Sequence, residues 1–138
     1  MNKHKKTNPL AALALSILIA AVLVVGAAAA PDPFKGNWYS VDIDGSNQTL
    51  LIGGGPGSSY HVRYYDDGAS VCGWTPGASG LAASANGSLS ASGFVLSGSM
   101  PVYCLTSPRT FWDNSAFAFT YNPATDTLTD LSFVTWHR

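Results

Sequence analysis

From residue 36 onward, apolar and polar side chains alternate in short runs separated by Gly, Pro, Asn and Asp. A period of two marks β-strands, because successive side chains leave a pleated backbone on opposite faces. The run 36–43 sets Tyr39, Val41 and Ile43 on one face and Trp38, Ser40 and Asp42 on the other. Asp44-Gly45-Ser46-Asn47 has turn chemistry, and 48–52 returns as a second strand. After the glycine-rich stretch 53–59, a third strand at 60–65 separates Tyr60, Val62 and Tyr64 from His61, Arg63 and Tyr65.

Asp66-Asp67-Gly68 predicts a hairpin into a strand at 69–74, and residues 75–80 then break the ladder. Asn86-Gly87 predicts another hairpin, joining 81–85 to 88–92. Residues 94–104 put Phe94, Leu96, Gly98, Met100, Val102 and Cys104 on one face, while Pro101 restricts this strand to an edge or a bulge. The stretch 105–114 reads as an irregular loop, and 116–121 gathers Phe117, Phe119 and Tyr121 on one face. The last run, 127–138, changes phase near Asp130, which predicts a bulge. The fold class is therefore all-β, an antiparallel meander of eight or nine strands closed into a small barrel or folded into a sandwich. Closure would remove the exposed strand edges that soluble sheets must otherwise protect.

Residues 1–30 are of another kind. Lys3, Lys5 and Lys6 precede an apolar run at 10–25, and Gly26 and four alanines follow it. This order predicts a signal peptide. With the alanines the apolar helix reaches about 20 residues, so a retained membrane anchor is the alternative. Either way the expectation is three parts: 1–30 as signal or anchor, 31–35 as a short tether, and 36–138 as the barrel domain. It is secreted or extracytoplasmic, touching membrane only through 10–30 if that segment stays. Export suits a disulfide between Cys72 and Cys104, the only two cysteines. Closing a loop of about 33 residues is worth roughly 3–4 kcal/mol on the chain-entropy estimate.

Charge narrows the function. Beyond residue 30 there are four basic side chains (Lys35, Arg63, Arg109, Arg138), eight Asp and no Glu, a balance of −4. Nucleic-acid binding is excluded as a partner class, because it rests on neutralising phosphates. Asp42-Ile43-Asp44-Gly45-Ser46 has the look of a calcium loop, yet its Gly arrives two places early and no acid stands at position 12, so it reads as a turn. His61 with Asp66 or Asp67 gives a minor acid–base reading. No zinc or nucleophile motif accompanies it, and the chain is expected to be neither an enzyme nor a holder of metal or cofactor. The 16 aromatic residues are the most informative feature. Trp74, Phe111 and Trp112, with Arg109 beside them, are the candidate ligand-binding residues, since exposed rings with few charges stack on small molecules, glycans or partner proteins.

Gly36-Asn37-Trp38 opening the first strand, with Arg138 ending the last, resembles the calycin barrels: lipocalins, avidins and small barrel-type peptidase inhibitors. The resemblance implies that Trp38 plugs one barrel end and Arg138 packs across it. The chain has neither an obvious C-terminal helix nor a further lipocalin motif. A closer resemblance is to secreted bacterial β-domains of uncharacterised function. It rests on Gly36-Asn37-Trp38, Asp42-Ile43-Asp44-Gly45-Ser46, Tyr64-Tyr65-Asp66-Asp67-Gly68-Ala69-Ser70-Val71-Cys72, Cys104-Leu105, Asp126-Thr127-Leu128-Thr129-Asp130 and Trp136-His137-Arg138. It implies a recurring exported domain and no activity. The expected function is a non-catalytic binding module using loops 53–59, 75–80 and 105–114 on a small molecule, glycan or exported protein. The alternatives are an inhibitor of an exported peptidase that presents a loop or its N-terminus at 31–35, and an enzyme built on His61.

Overall fold

Eight strands follow one another around one antiparallel sheet, each bonded to its neighbours in sequence. They are β1 (Gly36–Val41), β2 (Asn47–Gly54), β3 (Tyr60–Asp66), β4 (Ala83–Ser92), β5 (Val95–Cys104), β6 (Thr110–Asn122), β7 (Thr127–Thr129) and β8 (Thr135–Trp136). The computed structural model describes residues 31–54, 59–73 and 81–138, so the expectations for 1–30 and for Trp74 lie outside the described residues. The two sheet edges meet at one pair: Tyr39 N–H donates to His137 O at 2.7 Å, and His137 N–H donates to Tyr39 O at 2.9 Å. The meander is thus a nearly closed eight-stranded barrel.

The interior follows from the alternation. Trp38, Leu50, Ile52, Tyr60, Val62 and Ala85 point inward from the first four strands, and Leu96, Met100, Val102, Phe119, Leu128 and Trp136 from the rest. On β1 the inward set is Trp38 and Ser40, which leaves Tyr39, Val41 and Ile43 exposed.

In a meander alternate connections share an end. At one end the chain entering β1 lies across the barrel as a floor. Phe34, 1% exposed, meets the rings of Tyr60 and Tyr121 at 5.5 and 6.3 Å, and its carbonyl accepts from Trp38 Nε1 at 2.7 Å. Asp32 holds the turn, taking the amides of Phe34 and Lys35 on Oδ1 and the Tyr60 hydroxyl on Oδ2 at 2.9 Å. Residues 32–35 are therefore wall material as well as a tether. Arg138 lies over the Trp38 ring at 4.5 Å, donates to Lys35 O at 3.0 Å, and forms an ion pair with Asp126 that holds this carboxyl below its ordinary range.

Several local expectations are corrected. The strand expected at 69–74 is replaced, over its described part, by a 3-10 turn at Ser70–Cys72. That turn carries Cys72 inward to its disulfide with Cys104, Cα atoms 5.5 Å apart. The Asn86-Gly87 hairpin does not form, because both residues lie inside the continuous β4. Gly87 faces inward against Met100, where a Cβ would sit 2.9 Å from Met100 Cγ. Here the glycine makes room for a core side chain and does not turn the chain. The loop expected at 105–114 ends early, and Phe111 and Trp112 belong to β6. The bulge expected near Asp130 is a full turn between β7 and β8: Asp130 Oδ1 accepts from the amides of Ser132 (2.9 Å) and Val134 (3.0 Å).

Two stability outcomes follow. Phe34→Ala should cost about 3–5 kcal/mol in urea denaturation, as for other fully buried rings; a loss below about 1 kcal/mol would detach residues 32–35 from the core. Reduction of Cys72–Cys104 should lower stability by about 3–4 kcal/mol and the melting midpoint by more than about 10 °C.

Candidate functional site

The opposite end, the mouth, is bordered by the connection residues 42–46, 67–73, 81–82, 105–109 and 130–134, and its wall is incomplete among the described residues. β7 pairs with β6 only at residues 120–122, so β6 runs on through 110–119 without a ladder partner on that side. β1 is bonded to β8 only at Tyr39, which leaves its mouth half unjoined.

A cavity of about 180 Å³ opens where β7 leaves β6. Its aromatic wall is Tyr64, Phe117, Phe119 and Trp136, and its polar groups include Asp42 and Asp130. The rings hold one another: Tyr64 lies 5.5 Å from Phe117 and 6.2 Å from Trp136, and Phe119 meets Trp136 edge-on at 5.8 Å. Trp136 is fixed by its Nε1–H donating to Asp130 Oδ2 at 3.0 Å. A second cavity of about 300 Å³ adjoins the first, sharing Asp42, Tyr64, Phe117 and Ser132, and adds Asp66 and Trp112.

A polar chain runs side by side along β1, β2 and β3, and Gln48, Tyr64 and Asp66 of it line the cavities. Ser40 Oγ donates to Gln48 Oε1 (2.9 Å), Gln48 Nε2 donates to the Tyr64 hydroxyl (2.9 Å), and that hydroxyl donates to Asp66 Oδ2 (3.2 Å). Asp66 Oδ1 accepts from Gly68 N–H at 3.0 Å. Each polar side-chain atom buried among the described residues has a partner, as buried polar groups require. Burial, reinforced by the Asp66 carboxylate, pushes the Tyr64 phenol far above its usual range, so it stays protonated and donating. Burial also raises Asp42, and the charges of Asp44, Asp66 and Asp130 add to that against one lowering contact, the Ile43 amide.

The candidate residues read from the sequence are dispersed. Trp112 borders the second cavity as the extra residue of a β-bulge: Val102 pairs with Asp113 but Tyr103 with Phe111. Phe111 faces outward against Tyr103 at 5.6 Å, and Arg109 covers the Tyr103 ring at 4.1 Å while donating to Ser84 Oγ. Arg109 and Phe111 thus form a cluster on the outer side of the rim, outside the lining of both cavities. Trp38 and Arg138 meet at the floor. His61 is exposed on the outer face of β3, whereas Asp66 of the same strand points inward and Asp67 is engaged by Asn47, so no His61–Asp pair forms. Asp42 and Asp44 organise a turn, Asp44 Oδ1 accepting from the Ser46 amide and hydroxyl. Among the described residues no three His, Cys, Asp or Glu side chains gather closely enough to hold a metal ion.

Tyr64, Phe117, Asp130 and Trp136 were not among the candidate site residues of the sequence, and Asp42 entered only as part of a calcium-like segment read as a turn. One signal could have found them. Asp42, Asp66 and Asp130 flank alternate turns of the meander, and alternate turns of a meander share one end. Comparison with family models, curated proteins and solved structures returned no match.

The raised pKa of Asp42 carries a sign. Folding favours its protonated form, so the penalty is absent below the unfolded carboxylate range and complete above the folded pKa. Asp42→Asn, which can still accept from Ile43, should raise the melting midpoint at pH 7, with the difference vanishing near pH 3. An unchanged or lower midpoint at pH 7 would show that Asp42 has a compensating partner.

Proposed function

We propose that this domain is an extracytoplasmic, calycin-like bacterial barrel that binds a small molecule at its mouth without transforming it. The observation that carries this reading is the contrast between the two ends. The floor is filled by Phe34, Trp38 and Arg138, whereas the mouth holds a ring-lined cavity whose polar wall groups already have hydrogen-bond partners. Concave, mostly apolar sites with a few fixed polar groups are what small-molecule recognition uses. The sequential eight-strand order and the arginine stacked on the Gly-x-Trp tryptophan support the calycin likeness. The basic and apolar segment at 1–30 and the disulfide support export. A peptidase inhibitor presenting residues 31–35 is disfavoured, because Phe34 is buried and Asp32 is bonded to Tyr60.

The test is a thermal-shift screen of small ring-bearing molecules against the oxidised protein. A ligand at about 100 times its dissociation constant adds roughly 2.7 kcal/mol of stability. Ser132→Trp, which obstructs both cavities from an exposed position, should abolish the shift, and Phe111→Ala or Arg109→Ala should leave it intact. The reverse pattern would move the site to the outer wall.

A further inference from the structure

On the reading just given, we propose that the mouth selects small organic amines as their cations, one ring-sized apolar group lying against Tyr64, Phe117 and Trp136 and the ammonium facing Asp42 and its neighbouring carboxylates. Size comes first. A cavity of about 180 Å³ is close to the roughly 150 Å³ that accepts a benzene-sized guest in an apolar protein interior. It therefore suits one ring or a group of that volume, with the second cavity beside it.

The sign of the charge comes from a separate observation. Asp66 is only 4% exposed and lines the second cavity, yet its partners are neutral: the Gly68 amide, the Tyr64 hydroxyl and the Gln48 amide nitrogen. A buried carboxylate ordinarily has a cation beside it. None of the described residues lining either cavity is Lys, Arg or His, and Asp42 and Asp130 add further negative charge at the first. The barrel's basic groups lie elsewhere: Lys35 and Arg138 at the floor, Arg63 on an outer face, Arg109 stacked on Tyr103. An anionic ligand would meet two carboxylates in either cavity and no counter-charge in the lining. An ammonium beside π-faces and carboxylates gains from both.

The metal alternative fails on geometry, since no three ligating side chains among the described residues converge. An organic cation needs no such convergence: its charge is spread over a larger surface and its apolar part carries much of the binding.

The experiment titrates the oxidised full chain, by tryptophan fluorescence and calorimetry at low salt and pH 7, with three probes of nearly equal shape. These are 2-phenylethylamine, the neutral 2-phenylethanol and the anionic 3-phenylpropanoate. The amine should bind at least tenfold more tightly than the alcohol, and the acid most weakly. Asp42→Asn should remove most of that preference while leaving the alcohol unchanged. Asp113→Asn, which alters an exposed carboxylate outside both cavities, should leave all three affinities as they were. Lowering the pH until Asp42, which faces Asp44, Asp66 and Asp130, is protonated should erase the amine's advantage, with Tyr64 remaining protonated throughout. If the alcohol binds as tightly as the amine, and Ser132→Trp blocks both, charge selection is overturned while the mouth remains a binding site. If no probe changes fluorescence, heat or melting midpoint, both readings fall together.

Discussion

A sheet that curls into a barrel must join its first strand to its last, and in this domain a single residue pair makes that join. Tyr39 and His137 exchange two backbone hydrogen bonds, and the rest of β1 finds no ladder partner on that side. Everything distinctive about the two ends follows from where this pair sits. Below it, toward the floor, the chain entering β1 and the residue leaving β8 are drawn together, so Phe34, Trp38, Asp126 and Arg138 pack into one closed cluster. Above it the wall parts, because β7 and β8 span only Thr127–Thr129 and Thr135–Trp136 while β6 runs on for most of its length. The cavities occupy that parting.

The alternation of side chains made the strands legible and largely assigned their faces. It was sound for β3, for the Leu96, Met100, Val102 and Cys104 face of β5, and for Phe117 and Phe119 on β6. It was ambiguous on β1, where two faces of similar hydrophobicity competed. The inward set proved to be Trp38 and Ser40, because Trp38 completes the floor and Ser40 completes the polar layer. Turn chemistry was the weaker guide. Asn86-Gly87 is a strong local hairpin signal, but a tertiary requirement overrode it: Met100 needs the space above Gly87, and Leu89 on the same strand is a core residue. Likewise Asp67-Gly68 could not lead into a strand once Cys72 had to reach Cys104.

The residues of the candidate site were hidden for a different reason. Aromatic exposure cannot be read from one sequence, so Phe111 and Trp112 drew attention as neighbours in what looked like a loop. The strand and its bulge separate them, Phe111 to the outer wall and Trp112 to the mouth. Asp42, Asp66 and Asp130 each read as an ordinary turn residue, and each does serve its own turn, accepting local backbone amides. Their convergence becomes visible only when alternate turns are counted onto the same end of the barrel.

The polar layer explains how an opening can persist in a domain of this size. A gap lined only by aliphatic side chains would tend to close, since collapse would bury more apolar surface. Part of the lining here belongs to the Ser40–Gln48–Tyr64–Asp66 chain, with its hydrogen bonds already made among its own members and the Gly68 amide. Collapse onto it would add apolar contact to groups that gain nothing from it, while moving any member would leave a buried donor or acceptor unmatched, at a cost of about 1–3 kcal/mol. The network therefore holds this stretch of the wall in place, and the same hydrogen bonds set Asp66 against the second cavity with only neutral partners, which is the feature the proposed selection of cations rests on.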